Sequence, residues 1–170
     1  MLSLIRIRNY AVIDELELEF GSGLSVLTGE TGAGKSILVD ALGLALGDRA
    51  DANTVRKGKE RAEICVTFDC PDSHPALMWL SEHELDEEQA CMIRRTISAE
   101  GRSRAFINNQ PVTLQDLRNL GASLVEIHGQ HAHQSLLQKT NQRRILDFHG
   151  KHQPLLERVS QLPSVKMKIM

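Results

Sequence analysis

One stretch decides the fold of this chain: Gly29-Glu30-Thr31-Gly32-Ala33-Gly34-Lys35-Ser36. It fits the pattern G-x-x-x-x-G-K-[ST] without a gap. A loop of this kind turns its backbone N–H groups inward around a polyphosphate, and glycine permits the dihedral angles that this curl requires. Gly29, Gly32 and Gly34 supply that freedom. The stretch therefore predicts a binding site for a nucleoside triphosphate.

The last two residues of the stretch carry the rest of the chemistry. Lys35 places a cation between the β- and γ-phosphates, and the Ser36 hydroxyl can ligate the Mg²⁺ that bridges them. A helix that starts at Lys35 adds the positive end of its dipole. We therefore predict ATP and Mg²⁺ as cofactors, bound by residues 29–36, with Ser36 as a metal ligand.

The surroundings of the stretch argue against a chance match to a degenerate pattern. Leu24–Thr28 predicts an apolar strand that runs into the loop, and Ser36–Leu46 predicts a helix that is apolar on nearly all sides and so buried. Gly47 fits the end of that helix. A small nucleotide kinase would place its glycine loop closer to the N-terminus, and the strand pair predicted before residue 24 argues against that class.

The rest of the chain alternates between strand and helix patterns. The predicted strands cover residues 2–7, 15–20, 62–68, 91–97, 104–108 and 124–127, with the first two expected to be antiparallel and 91–108 expected to form a hairpin. The predicted helices cover residues 74–85 and, from the capping box Thr113–Asp116, residues 113–120. From Asn141 onward the pattern is helical, either an ordinary amphipathic helix or the root of a coiled coil. Pro154 indicates a kink or a fresh helix start there.

Composition excludes several classes of protein. The chain has 170 residues, 41% of them hydrophobic, with a net charge of −2, so the whole chain is no general electrostatic attractor for DNA or anionic membranes. Its three cysteines form no C-x-x-C pair, which predicts reduced thiols without a zinc site. No signal peptide or membrane-spanning run is present in the sequence. We therefore expect a cytoplasmic protein.

Hydrolysis needs a second set of carboxylates, on an apolar strand that ends in Asp. The best candidate after residue 36 is Leu124-Val125-Glu126-Ile127, but Glu126 lies inside the predicted strand and no Asp follows. A Leu-Ser-Gly-Gly-like signature is also absent from the sequence. The nucleotide site therefore looks incomplete within this chain.

Three strings carry a resemblance to a known family. They are Thr28–Ser36, Gly101–Asn108 and His128–Gln134. Together with the initial strand pair and the basic element at residues 55–58, they resemble the RecN-like family of bacterial DNA repair proteins, within the SMC-like, ABC-type ATPases. The resemblance runs from Met1 to about residue 150. It implies a mixed α/β fold: half of a P-loop NTPase head with an antiparallel β-subdomain and a C-terminal helix that leads toward a coiled coil.

The resemblance also implies a function and partners. In that family the phosphate-loop half and a C-terminal half form one head, and two heads sandwich two ATP molecules in a homodimer. The family acts at the nucleoid in recombinational repair of DNA double-strand breaks, on break ends or single-stranded regions. We expect residues 1–140 to be the N-terminal head half and residues 141–170 the root of a coiled coil. Binding of ATP with little or no hydrolysis follows for the isolated chain. The alternative is an SMC-like chromosome-organising module without a repair role.

Two further groups of residues are candidates for metal binding, and the resemblance favours only the first. Gln130 aligns with the glutamine that contacts Mg²⁺ and water in that superfamily, with Gln134 as the second choice. The loop histidines, His128, His131 and His133, have no known zinc spacing and are interpreted as loop residues.

Arginines stand out in the predicted hairpin. This stretch contains four arginines and a single acidic residue: Arg94, Arg95, Arg102 and Arg104, with Glu100. They form either a solvated strand face or a contact with the DNA phosphate backbone. Arg56 and Lys57 could face the nucleotide or DNA, and the sequence does not choose between them.

Overall fold

The computed structural model of the protein describes residues 1–28, 34–87, 90–125 and 127, and from the C-terminal part residues 142–143, 146–147, 149–150 and 152–160. The chain divides into two compact units, Met1–Ile127 and His128–Met170. In the first unit the strands are β1 (Leu2–Tyr10), β2 (Ile13–Glu19), β3 (Arg61–Asp69), β4 (Ala90–Ser98), β5 (Ser103–Ile107) and β6 (Gln110–Val112). The helices are α1 (Lys35–Ala45), α2 (Pro75–Glu82) and α3 (Leu114–Leu124), with a 3-10 turn at Ala52–Thr54. In the second unit the described helix is α4 (Gln153–Ser160).

The strands form one antiparallel sheet in the order β2-β1-β3-β4-β5-β6. Its centre is the pairing of β1 with β3 and of β3 with β4, where Ile64 lies opposite both Ile7 and Arg95. This register follows from the alternation in the sequence, because a slip of one residue would turn every apolar side chain of a strand to the wrong face. The antiparallel pairs and the hairpin predicted from the sequence are confirmed.

The core lies on one face of this sheet. In β3 every second side chain is fully buried, from Ala62 to Phe68, and α1 packs against β3 and β4 on that face. Three small or aliphatic residues of α1, Ala41, Leu44 and Ala45, belong to the same buried cluster. Burial of this kind is the main source of stability in a domain of this size.

The other face of the sheet carries paired charges. Arg6 contacts Glu17 and Arg8 contacts Glu15, each at 2.7 Å, across the pair β1–β2. These pairs are exposed, so each adds little to stability. They do neutralise the face on which they lie.

The predicted helices α1, α2 and α3 form, and the capping box is present. The Thr113 side chain accepts from the backbone N–H of Asp116, and the Asp116 carboxylate accepts from the backbone N–H of Thr113 at 3.0 Å. Gly47 ends the α1 region with a φ of +108°, a conformation that favours glycine. Pro154 lies at the start of α4, as a fresh helix start requires.

Two predicted strands were wrong. Leu24–Thr28 forms no strand and is exposed, with Leu24 92% and Val26 75% accessible. The alternation rule could not foresee this, because a parallel strand of a P-loop core needs neighbours, and the described residues supply none beside it. The predicted strand 124–127 begins inside α3, which extends to Leu124.

A third correction concerns α1. The sequence predicted a helix buried on nearly all sides, whereas Val39 is 44% exposed and only one side is fully buried.

The sequence also missed β6 and the turn that makes it. Asn108 and Asn109 both have positive φ, +45° and +64°. Asn108 is buried, and its side-chain amide donates to the carbonyls of Leu85, at 2.8 Å, and Ala90, at 3.1 Å. Its Oδ1 accepts from the backbone N–H of Met92 at 2.8 Å. One side chain thus ties the β5–β6 turn to Leu85 and to the first residues of β4.

We expect Asn108→Ala to lower the free energy of unfolding by about 2 kcal/mol, because it leaves a buried carbonyl and a buried N–H without their partner. Asn109→Gly is the matched control, since glycine suits the positive φ of that exposed turn residue. Urea unfolding monitored by circular dichroism measures both. An Asn108→Ala protein as stable as its Asn109→Gly counterpart would show that the turn is not held by this side chain.

The capping box gives a pH dependence. Hydrogen bonds from Thr113 hold the pKa of the Asp116 carboxyl below its usual range. A lowered folded-state pKa means that the stabilisation is complete above the unfolded pKa of about 3.9 and is lost as pH falls through the folded value. We expect Asp116→Asn to destabilise the protein near neutral pH and to differ less from the parent in acid. Thermal unfolding across that pH range tests this, and an equal difference at all pH values would contradict it.

Candidate nucleotide-binding site

The described end of the glycine stretch leads directly into a helix, as the sequence predicts. Gly34 has a φ of +99° and immediately precedes α1, whose first residue is Lys35. The carbonyl of Gly34 accepts from the backbone N–H of Leu38 at 3.0 Å, which closes the first turn. Ser36 is exposed and Lys35 half-buried. Residues 29–33, the rest of the predicted site, lie outside the described residues.

The start of α1 has the electrostatics of an anion site. Its first turn contains no acidic residue, and no side chain of the preceding residue caps its N–H groups. These N–H groups, the positive helix end and Lys35 attract a phosphate, while Ser36 Oγ is an oxygen donor of the kind that Mg²⁺ takes. The residues present therefore fit a magnesium-bound polyphosphate.

Packing along α1 holds this N-terminus in place. Asp40 lies close enough to the buried Tyr10 that its charge, after burial itself, raises the pKa of the phenol. The backbone of Asp48 donates to the carbonyl of Gly43 at 3.0 Å at the other end of the helix. The helix itself packs on β3 and β4 through Ala41, Leu44 and Ala45.

The four arginines of the hairpin do not form one surface. Arg94 lies on the outer face of the sheet, where it stacks on Phe106 at 4.2 Å and lies 3.8 Å from Glu63. Arg95 points to the inner face and is fully buried, which removes it from any surface contact with DNA in this structure. Arg102, in the turn, is 86% exposed and lies 3.8 Å from Glu100.

Arg104 is exposed on β5. It has no ion pair among the described residues. The DNA contact thus stays a prediction, and of the four arginines Arg102 and Arg104 are the exposed ones.

Other predicted candidates are partly accounted for. Arg56 donates from its side chain to the carbonyl of Val12 and lies 3.8 Å from Asp14, so it braces the β1–β2 turn. Gln130 and Gln134, together with Glu126 and the loop histidines, lie outside the described residues. Within the described part of the chain no group of His, Cys, Asp or Glu residues could hold a metal ion.

Sequence reasoning missed two arginine contacts, one from the buried Arg95 and one from the exposed Arg118. Arg95 donates from Nη2 to Ser103 at 3.0 Å, while its Nε and Nη1 have no hydrogen-bond partner among the described residues. Arg118 of α3 donates from Nε to the carbonyl of Gly47 at 2.9 Å. Nothing in the sequence flags either role, because Arg95 occupies an inward position that alternation assigns to an apolar residue.

In the described chain no helix is long and apolar enough to cross a bilayer.

Comparison with protein families gives one match over nearly the whole chain. The model of a family described as an AAA domain matches residues 4–168. The chain therefore belongs to this family, whose members bind nucleotides. The nucleotide-binding class predicted from the glycine stretch agrees with it.

The sequence relatives are DNA repair proteins. The chain is 48% identical over 161 residues to RecN of Xylella fastidiosa strain 9a5c, which covers 95% of this chain and 29% of that protein. It is 48% identical over 159 residues to RecN of Haemophilus influenzae, which covers 92% and 28%, respectively. RecN of Bacillus subtilis is 42% identical over 148 residues, covering 86% and 26%. The predicted resemblance to the RecN-like family is confirmed, and the chain spans less than a third of the length of these relatives.

Solved structures agree on the fold. An SMC ATPase, from a study of ATP-driven dimerisation and DNA-stimulated activation, matches with a TM-score of 0.62 at 18% identity, covering 85% of this chain and 96% of that one. An Smc head domain from Pyrococcus yayanosii matches with a TM-score of 0.64 at 17% identity, covering 94% and 35%. The recombination mediator RecF matches with a TM-score of 0.55 at 17% identity, covering 69% and 29%. These TM-scores show the fold, a P-loop ATPase head with an antiparallel sheet, which confirms the predicted fold class.

The buried guanidinium of Arg95 gives a testable consequence. Burial, and secondly the charge of Arg118, lower its pKa, and two of its nitrogens gain no hydrogen bond from the described residues. We expect Arg95→Met, which keeps the volume and removes the charge, to raise the free energy of unfolding by about 1 kcal/mol. Arg95→Ala is the control, expected to destabilise through the cavity it leaves. Denaturant titration measures both, and a marked loss of stability in Arg95→Met would mean that the charge has a partner after all.

Proposed function

We propose that this member of the AAA domain family binds Mg-ATP on residues 29–36, as the N-terminal head part of a RecN-like protein that acts in recombinational repair of DNA double-strand breaks. The observation that carries the proposal is the backbone of Gly34, Lys35 and Ser36. A left-handed glycine is followed at once by a helix whose first two residues are the lysine and the serine of the motif. The repair role is proposed from the RecN relatives, and we expect the protein to act at the nucleoid.

The chemistry of the proposed site is electrostatic. By the chemistry of the motif, backbone N–H groups of residues 29–34 and the N-terminus of α1 would bind the phosphates, and Lys35 would balance the charge of the β- and γ-phosphates. Ser36 Oγ and, by the family resemblance, Gln130 would hold Mg²⁺, which supplies charge neutralisation at the transferred phosphate. Binding is the part of the reaction that this chain's own residues perform.

Hydrolysis is proposed to need a second half of the head. The exposed Leu24–Thr28 supports this, because an apolar segment directly before a phosphate loop is buried in a parallel sheet when its neighbours are present. We infer that strands outside these 170 residues pair with it and bring the missing carboxylates and signature. The isolated chain then binds ATP and turns over little or none of it.

Dimerisation and DNA binding are proposed at the level of the whole protein. ATP-driven dimerisation is described for the SMC ATPase that shares this fold. By analogy, two heads of this protein would enclose ATP between them. The exposed Arg102 and Arg104 are proposed to contact the DNA phosphate backbone at break ends or single-stranded regions. Such a contact would not depend on the DNA sequence.

A chromosome-organising module without a repair role is the alternative. The SMC heads among the structural neighbours favour it only through the fold, at 16–18% identity. Identity of up to 48% to RecN proteins favours the repair assignment.

The proposal predicts that Lys35→Ala weakens Mg-ATP binding by at least about tenfold, since one charged contact to a phosphate is worth about 1.5–3 kcal/mol. Arg61→Ala, which removes an exposed cation outside residues 29–36, is the control and should bind as the parent does. Isothermal titration calorimetry with Mg-ATP provides the dissociation constants. Equal affinities of the Lys35→Ala and parent proteins would refute the proposed site.

A further inference from the structure

We propose that Arg118 is a positioning residue for the nucleotide site: through the C-terminal end of α1 it fixes where Lys35 and Ser36 stand relative to the phosphates. The inference rests on the proposed function, because it concerns the same nucleotide site. It assigns a role to a residue of α3 that lies 82 positions beyond Ser36 in the sequence.

The evidence begins with two close approaches between α3 and the end of α1. A Cβ on Gly47 would lie 2.7 Å from Cγ of Arg118 and 3.3 Å from the carbonyl oxygen of Leu114. A Cβ on Gly121 would lie 3.1 Å from Cβ of Leu46. A contact under 3.0 Å requires a neighbour to shift and one of 3.0–3.4 Å is tighter than usual, so glycine at both places lets α3 lie directly against the end of α1.

Arg118 adds a directional contact to this packing. Its Nε donates to the carbonyl of Gly47 at 2.9 Å, in a part-buried setting. The last turn of α1 has no basic residue of its own, so the carbonyl end of its dipole is met by a cation from α3. This hydrogen bond adds a directional contact between α3 and the end of the α1 region to the close approaches at Gly47 and Gly121.

A shift at one end of α1 reaches the other. The helix has 11 residues, so it spans about 16 Å as a single rigid rod, and its hydrogen-bonded turns do not compress. Lys35 and Ser36 form its first turn. A phosphate contact depends steeply on distance, so a displacement of a fraction of an ångström along the axis matters for binding.

The test is a double-mutant cycle with Mg-ATP as the ligand, measured by calorimetry on the same chain. Arg118→Ala should weaken binding by about fivefold, a size usual for residues coupled through shared structure. In a Ser36→Ala background the same change should have a much smaller effect, because the contact that Arg118 positions is already gone. Arg118→Lys, which keeps one donor and the charge, should restore most of the affinity.

Other outcomes separate the possible failures. If Arg118→Ala lowers the melting temperature but weakens binding by the same factor in the parent and in the Ser36→Ala background, Arg118 is merely structural and the inference fails. Unchanged affinity for Mg-ATP in Arg118→Ala also overturns the inference. If Ser36→Ala weakens binding in that case and Arg118→Ala does not, the proposed function still holds. If neither Ser36→Ala nor Lys35→Ala affects binding, the nucleotide site itself is wrong.

Discussion

The contact between one side of α1 and the inner face of the antiparallel sheet is the interaction on which the rest of the structure depends. An 11-residue helix is marginal on its own in water, so it forms here because Ala41, Leu44 and Ala45 bury against β3 and β4. Alanines at two of these positions let the backbone of the helix approach the sheet closely. This contact fixes the direction in which α1 presents its N-terminus, and with it Gly34, Lys35 and Ser36.

The same arrangement leaves the other side of α1 and the preceding segment uncovered. Leu24, Val26 and Leu27 are exposed together, as is Val39 on α1. A run of apolar side chains in front of a phosphate loop fits a sheet that is completed from elsewhere, which agrees with a chain spanning 26–29% of its RecN relatives. The protein thus combines a six-stranded antiparallel sheet with an exposed apolar segment in front of its predicted phosphate loop.

Sequence reasoning succeeded where a local rule sets the structure. Alternation located β2 and β3, the capping box located the start of α3, and Gly47 marked the end of α1. It failed where distant neighbours decide. Leu24–Thr28 has the composition of a strand but lacks a partner among the described residues, and inward-facing Arg95 breaks the apolar alternation of β4. For the candidate site, residue types and spacing predict a nucleotide, in agreement with the family match. The contact between Arg118 and Gly47 could not be predicted, because it arises from tertiary packing between helices far apart in sequence.

The most direct measurement of the central claim is a map of backbone amide chemical shifts of the isotope-labelled chain as Mg-ATP is added. The account predicts that the largest changes fall on residues 29–36, with smaller changes along α1 toward its C-terminal end. Large changes confined to the outer face of the sheet or to the β4–β5 hairpin, with the amides of residues 29–36 unaffected, would contradict it.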